Sequence, residues 1–431
     1  MRTGSFVFVR LILLVFACGF LAGCRDRMPP SPPMRTIQVW FQSNTEAEQN
    51  ALQSIADSFN VAHEHRGLRV AVRFFSADDF TPQLAAAFSH GAPPDAFSLD
   101  GSFVGRYARA GLITPIDSWF DRNELEDFLP TVREQGTTNG RLYALASLES
   151  ATALYYDREV LMRANVVPPP EGRAWTWSQF LAACERLKAA GIAPVALHLE
   201  AGDADVFQSF APVIWSGGGD LVGGDGRRIK GIFAGSENIA SLEAWQTLFE
   251  NDYAVIASAD DDPFAEGLVA MDWNNHLAAR PYVRRKGDTL GAMLLPRLGS
   301  RSLTACGGWA WAIAKGARDP ETAALWVKWV TDLRHGIEPL VRATGGVPAR
   351  RSAFALFPEY SHPPYRLFRD QLESAGRPRP HTPHFQVIAQ GFADALRDIA
   401  AGADVAPRLR SAEQNIDQAI AREDAALSSA E

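Results

Sequence analysis

The chain is poor in cysteine. Cys18, Cys24, Cys184 and Cys306 are all it has in 431 residues, too few for a disulfide framework. It also lacks a positive charge balance. Its 42 Lys and Arg against 50 Asp and Glu give −8, which argues against nucleic acid as a partner. Beyond residue 22, no apolar run approaches the roughly 20 residues that span a bilayer. Familiar catalytic signatures are missing. There is no Gly-x-Ser-x-Gly elbow. His63-Glu64-His65 is not a zinc-protease motif, because position 67 is Gly. The Gly217–Gly226 stretch lacks the Gly-Lys-Ser/Thr ending of a phosphate loop and reads instead as a glycine-rich hairpin. No cofactor motif is present, so none is expected. His381 and His384 in "HTPH" form a close pair, but two histidines do not make a metal site.

The N-terminus carries a recognisable pattern. Arg2 and Arg10 are the only charges among the first 23 residues, and Leu11 to Ala22 is almost unbroken apolar sequence. A basic start, a short apolar core and small residues at the end describe an export signal. Leu21-Ala22-Gly23-Cys24 resembles a bacterial lipobox, which implies cleavage before Cys24 and a lipid on its thiol. Removing 23 residues from 431 leaves 408, and the loss of two arginines takes the charge from −8 to −10. Residues 24–35 hold Pro29, Pro30, Pro32 and Pro33, and read as an extended tether to a membrane. Cys184 and Cys306 are expected to be buried free thiols, although an export compartment would permit a bridge.

The remaining body is too long for one ordinary core and predicts two domains. Ile37 to Phe41 reads as a strand. Ser43, Asn44 and Thr45 offer helix caps, and Ala51, Leu52, Ile55, Ala56 and Phe59 then recur at helical spacing. Strands follow at Leu68 to Phe75 and Asp95 to Leu99, with a helix between them. This βαβαβ order predicts a parallel sheet covered by helices.

Several stretches in this order resemble the extracellular solute-binding proteins that serve ABC importers, in their sugar-binding, maltose-binding-protein-like branch. They include "PPDAFSLDGSFVGRYARAGLITPID", "GTTNGRLYALASLESATALYYDREVL", "WTWSQFLAACERLKAAGIAPVAL", "ACGGWAWAIAKGARDPETAALWVKWV" and "GGVPARRSAFA". The resemblance implies an α/β, two-lobe periplasmic-binding-protein fold with a hinge of crossing segments and a ligand cleft between the lobes. It places residues 36–148 plus 303–346 in lobe one and 149–302 plus 347–431 in lobe two, after the signal peptide 1–23 and the tether 24–35. It implies a sugar ligand, an ABC permease as partner, a monomer, and binding without catalysis. A lipid-anchored glycosidase working with two carboxylates is the alternative, although no spacing singles out a pair. The same fold holding a sugar phosphate, polyol or metal ion is another.

A sugar offers flat C–H faces to aromatic rings and hydroxyls to carboxylates, amides and arginines. Trp245, Trp326 and Trp329 fall at helical packing positions, and Trp40 and Trp311 within strands. Trp119 reads as surface packing, and Trp175 and Trp177 as structural positions before a helix, which leaves Trp215, Trp273 and Trp309, each beside Gly or Asn at an element end. The resemblance implies ligand contacts at Gly308 and Trp309. Gln42, Ser43, Asn44 and Glu46 follow the first strand, and Ser43 or Asn44 can cap as well as bind. Asp100 ends the third strand, where a helix-capping role competes. Glu149 lies in a crossing segment. Of Tyr155 and Tyr156, strand alternation turns only one to the cleft. Arg350 or Arg351 follows "GGVPA", and Phe385 is a further aromatic. The run with Arg280, Arg284, Arg285 and Lys286 is basic enough to suit an acidic ligand, but reads better as a solvated face.

Overall fold

Two five-stranded sheets organise the chain. The computed structural model describes residues 33–428 except 44, 225, 259 and 260, without the side chains of 426–428. The signal sequence, Cys24, most of the tether and Asn44 lie outside the described residues.

The first sheet has the strand order Leu68–Phe75, Arg35–Gln42, Ala96–Asp100, Trp309–Ile313, Ala144–Ala146. Its first three strands are parallel, and Trp309–Ile313 runs antiparallel to both its neighbours. Along Arg35–Gln42, Ile37, Val39 and Phe41 are buried on one face, the period-two pattern of a sheet on a core. The helix Glu46–His63 then covers that sheet. Thr45 accepts a hydrogen bond from the Glu48 N–H and so serves as its cap, and Glu46 and Glu48 sit in the first turn, where the helix dipole favours carboxylates. Its buried residues Leu52, Ile55, Ala56 and Phe59 follow the expected spacing.

The second sheet runs Ala254–Ile256, Ala193–Leu197, Val269–Asn275, Thr152–Asp157, Leu290–Met293. Long helices, Asp203–Ser216, Ser236–Glu250, Phe385–Ala400 and Val405–Ser428, pack with it around Trp245, Phe210 and Phe392. The stretch from Gly217 to Gly226 forms turns rather than the expected hairpin. Asp220 within it finds partners elsewhere: Asn238 Nδ2 donates to its carbonyl, and Arg377 pairs with its carboxylate at 2.6 Å. Cys184 and Cys306 are buried and unbridged.

The region 347–374, expected in lobe two, touches both bodies: Phe368 lies 6.3 Å from the Tyr155 ring and Arg366 pairs with Glu171 on the second, while other residues reach the first. Val347–Pro348 pairs with Leu148–Glu149, Leu129 N–H donates to Ala349, and Ser352 bonds Asp127. Phe354, Phe357 and Leu372 belong to a core cluster that holds residues of both sheets, Val39 and Tyr155 among them, whereas Phe385 onward joins the cluster around Trp245.

The chain crosses between the sheets along short pieces that pair with one another. Leu148–Glu149 lies beside Val347–Pro348, and Thr304–Cys306 beside Gly376–Pro378. Glu149 joins these crossings. It is 2% exposed, and its Oε2 accepts from the N–H groups of Ser150 at 3.0 Å and Gly307 at 2.8 Å. Gly307 has φ 135°, and a Cβ there would lie 2.8 Å from Gln135 Nε2, so glycine is required on both counts.

Burial raises the Glu149 carboxyl pKa above its ordinary value, against the opposing pull of these N–H groups and Arg379. A raised folded-state pKa means that the folded protein loses stability as pH climbs through the unfolded value near ~4.3 and beyond. Glu149→Gln keeps an acceptor oxygen and removes the charge. Its melting temperature relative to wild type should therefore be more favourable at pH 7 than at pH 4, and equal differences at both would contradict this account. Glu149→Leu strands two buried N–H groups and should cost about 1–3 kcal/mol for each in thermal or urea unfolding.

Candidate functional site

Strand ends from both sheets meet around a cavity of about 530 Å3. The first sheet contributes Gln42 and Asp100, at the carboxyl ends of their parallel strands, and Trp309, at the start of the antiparallel one. The register puts Trp309 directly opposite Asp100. The sheet itself thus places a half-buried indole next to a carboxylate. Phe80 meets the Trp309 ring edge to face at 6.1 Å, which supports it from one side.

The second sheet contributes Asn275 and His276, at the end of Val269–Asn275, and the first turns of the helix Asp203–Ser216, which present Asp205 and Gln208. Gln208 is clamped. Its Nε2 donates to the Ala305 carbonyl at 2.8 Å and to Ser150 Oγ at 3.0 Å. Only nitrogen can donate to that carbonyl, so Oε1 is the free end of the amide. Burial lowers the His276 pKa to about 4, so the ring is neutral at neutral pH.

The crossing segments form the floor, with Glu149, Gly307, Gly308 and Arg379. Arg379 Nη1 pairs with Asp100 Oδ2 at 3.0 Å, both side chains being largely covered. Asp100 Oδ1 also accepts from Ser102 N–H and Oγ, so it caps the following turn as well as facing the cavity. Asp205 is exposed at the rim, yet enough protein surrounds it for desolvation to raise its carboxyl pKa. Arg379 opposes that shift and Asp100 adds to it. Three buried polar atoms of the lining have no hydrogen-bond partner: Glu149 Oε1, Gln208 Oε1 and Arg379 Nε.

Of the residues expected from sequence, Gln42, Asp100, Glu149, Gly308 and Trp309 come together here. Others do not. Trp273 is 1% exposed, donates its Nε1–H to the Ser209 carbonyl and packs beside Phe210, so it is core. Trp215 is buried beneath Arg377, whose guanidinium lies 4.5 Å from the ring centroid, and does not line the cavity. Tyr155 is fully buried and donates to the Asn275 carbonyl, whereas Tyr156 lies under Arg158. Arg350 sits over the Phe128 ring and pairs with Asp127, and Arg351 pairs with Glu373. Ser43 donates to the Thr45 carbonyl, and Glu46 is exposed in the helix's first turn; neither lines the cavity. Phe385 packs against Phe207.

Sequence reasoning missed Asp205, Gln208, Asn275, His276 and Arg379. The unusual Asn-Asn-His after Trp273 was the available signal, with the indole rather than its neighbours taken as the ligand group. The basic run does not line the cavity. Arg280 donates to the carbonyls of Val341 and Arg342, Arg285 to that of Ala265, and Lys286 pairs with Asp157. Among the described residues no cluster of His, Cys, Asp and Glu could hold a metal ion, and no helix is long and apolar enough to cross a membrane.

Known proteins share this architecture. The sugar-binding protein MalE from Xanthomonas citri superposes with a TM-score of 0.78 at 16% identity, over 91% of this chain and 99% of that one. The cyclic alpha-maltosyl-1,6-maltose binding protein of Arthrobacter globiformis gives 0.76 at 20% identity, over 90% and 99%. In sequence, a maltotriose-binding protein of Pyrococcus abyssi is 26% identical over 125 residues, 29% of this chain and 26% of the relative. The melibiose/raffinose/stachyose-binding protein MelE of Bacillus subtilis is 23% identical over 183 residues, 42% and 39%. The chain thus spans less than half the length of these curated relatives in alignment. The model of the bacterial extracellular solute-binding proteins, however, matches residues 43–332, more than half of the chain, and the protein belongs to that family.

Proposed function

We propose that this protein is the substrate-binding component of an ABC importer and captures a mono- or oligosaccharide in the cleft between its two sheets. The observation that carries this reading is the lining itself. Trp309 offers a ring face, and carboxylates and three amides from both bodies line the same cavity with a guanidinium from a crossing segment. The cavity of about 530 Å3 falls within the range of roughly 300–1,000 Å3 usual for small-molecule sites. Relatives named for maltotriose, melibiose and cyclic maltosyl-maltose support the same class of ligand.

The further reading is of a lipid-anchored monomer. Cys24 carries the lipid, residues 24–35 hold the body off the membrane, and the ligand is handed to a permease. The lobe division that fits this reading follows the sheets, with the crossings near residues 149 and 303 as the hinge. Ligand contacts on both lobes would favour a closed state. The protein binds and does not catalyse.

Residues 25–431 should show a thermal shift and a tryptophan-fluorescence change with at least one saccharide. At ligand about 100-fold above Kd, the stabilisation is roughly 2.7 kcal/mol. Turnover of a glycoside without such binding would overturn the receptor reading in favour of an enzyme. Trp309→Ala should weaken binding about tenfold by titration, the equivalent of one lost aromatic stack. An unchanged Kd would remove Trp309 from the site. In cells, Cys24→Ser should abolish labelling by a fatty-acid analogue, and persistent labelling would refute the anchor.

A further inference from the structure

The charge of the cleft points to a narrower ligand class. Glu48, Asp100, Glu149 and Asp205 line it against Arg379 alone, four carboxyl groups and one guanidinium, a formal balance of −3. The guanidinium is already committed to Asp100. His276 adds no charge at neutral pH. The basic run that would have suited an acidic ligand is bound to backbone carbonyls and to Asp157 elsewhere.

The unpartnered atoms lean the same way. Glu149 Oε1 and Gln208 Oε1 are acceptors on side chains at least nine-tenths buried, and both belong to cavity-lining residues. Their geometry cannot be reversed. Glu149 Oε2 is held by two N–H groups, and the Gln208 amide nitrogen by Ala305 and Ser150. Among the buried lining atoms one unpartnered donor, Arg379 Nε, stands against these two acceptors; nearer the opening the Asp205 carboxylate is joined by the amides of Gln42 and Asn275. A site with surplus acceptors needs a ligand with surplus donors. A hydroxyl brings one donor and two acceptor lone pairs, whereas an ammonium brings three donors and no acceptor. A carboxylate or phosphate brings only acceptors and more negative charge. The Trp309 ring adds a face that attracts a cation within about 6 Å.

We propose that the cleft selects saccharides bearing an amine, and disfavours those bearing a carboxylate or phosphate. This rests on the saccharide-capture reading above and narrows it. The ammonium would replace the unfavourable proximity of the Asp205 and Asp100 carboxylates with charge-assisted hydrogen bonds, which are roughly twice as strong as neutral ones. Neutral sugars can still fill the cleft through their hydroxyls, so the inference concerns rank within matched sets.

The test is calorimetric titration of the whole described body with matched glucose, glucosamine and glucuronate saccharides, from mono- to tetrasaccharide. In the sets that bind, the amine member should bind about tenfold or more tightly than its hydroxyl counterpart, and the acid member most weakly. The amine advantage should shrink as salt rises from about 20 mM to about 200 mM, where screening of the partly exposed Asp205 increases. Asp205→Asn should cut the advantage at least about threefold while moving the neutral member less, because it removes the rim charge and keeps an acceptor. Neutral members binding as well as or better than amines in every set would overturn the inference and leave saccharide capture standing. Acidic members binding best would overturn it likewise. No binding by any saccharide would overturn both.

Discussion

A carboxyl group buried where the chain crosses between two sheets is expensive, and Glu149 shows what makes it tolerable. Two backbone N–H groups, one of them from a glycine that no other residue could replace, converge on a single oxygen. The crossing pieces are only two or three residues long, so they have few pairings of their own. Side-chain contacts must add to those pairings. Thr304 Oγ1 accepts from Thr152 N–H, Ser150 Oγ donates to Gly307, and Gln208 reaches Ala305 and Ser150. Four of these groups, Glu149, Ser150, Gln208 and Gly307, also line the cavity. Hinge and binding site are therefore one network, and a ligand that touches the floor touches the part of the molecule that would bend.

The walls follow from sheet geometry. In a parallel sheet the carboxyl ends of the strands are where loops diverge and a cleft can open. Gln42 and Asp100 end two such strands in the first sheet, and Asn275 ends one in the second. Trp309 is at the cleft because its strand runs the other way and starts where Asp100 ends. Trp311, two residues on, faces the same side; it is 2% exposed, stacks on Phe41, and both rings line the inner end of the cavity.

The fold was largely legible because its signals are local. The spacing of Leu52, Ile55, Ala56 and Phe59 and the alternation of Ile37, Val39 and Phe41 depend only on period and burial. The first-sheet half of the site was legible for the same reason: Gln42, Asp100 and Trp309 sit at strand ends that periodicity locates. The second half was not. Asp205 and Gln208 lie on a helix whose other residues are almost all buried, and nothing in "DADVFQSF" marks which polar residue faces a cleft. Arg379 is about 280 residues from Asp100, and the pairing of Gly376–Pro378 with Thr304–Cys306 holds its backbone at the crossing, where its side chain comes to 3.0 Å from Asp100. Trp273 and Trp215 show the opposite failure. Their neighbours suggested loops, but an indole large enough to fill a core is most often used for that. In each case a local partner took the ring's polar or flat side: the Ser209 carbonyl for one and the Arg377 guanidinium for the other.

The division of the site between the sheets sets how large a ligand must be to change the balance of conformations. Moving an equilibrium from 1:99 to 99:1 requires a preference of about 5.5 kcal/mol for one state. A net hydrogen bond contributes about 0.5–1.5 kcal/mol, or about 1.5–3 where one partner is charged. A ligand held only by Gln42, Asp100 and Trp309 would gain those contacts in any lobe arrangement, and so would shift nothing. The preference has to come from Asp205, Gln208 and Asn275 on the other wall, one charged acceptor and two amides. At these magnitudes their sum is about 2.5–6 kcal/mol, which meets the requirement only at its upper end. A ligand that reaches all three would shift the balance strongly toward closure, and one that misses Asp205 would leave a mixture. Selectivity would then follow from the distance between two walls as much as from the groups on either one.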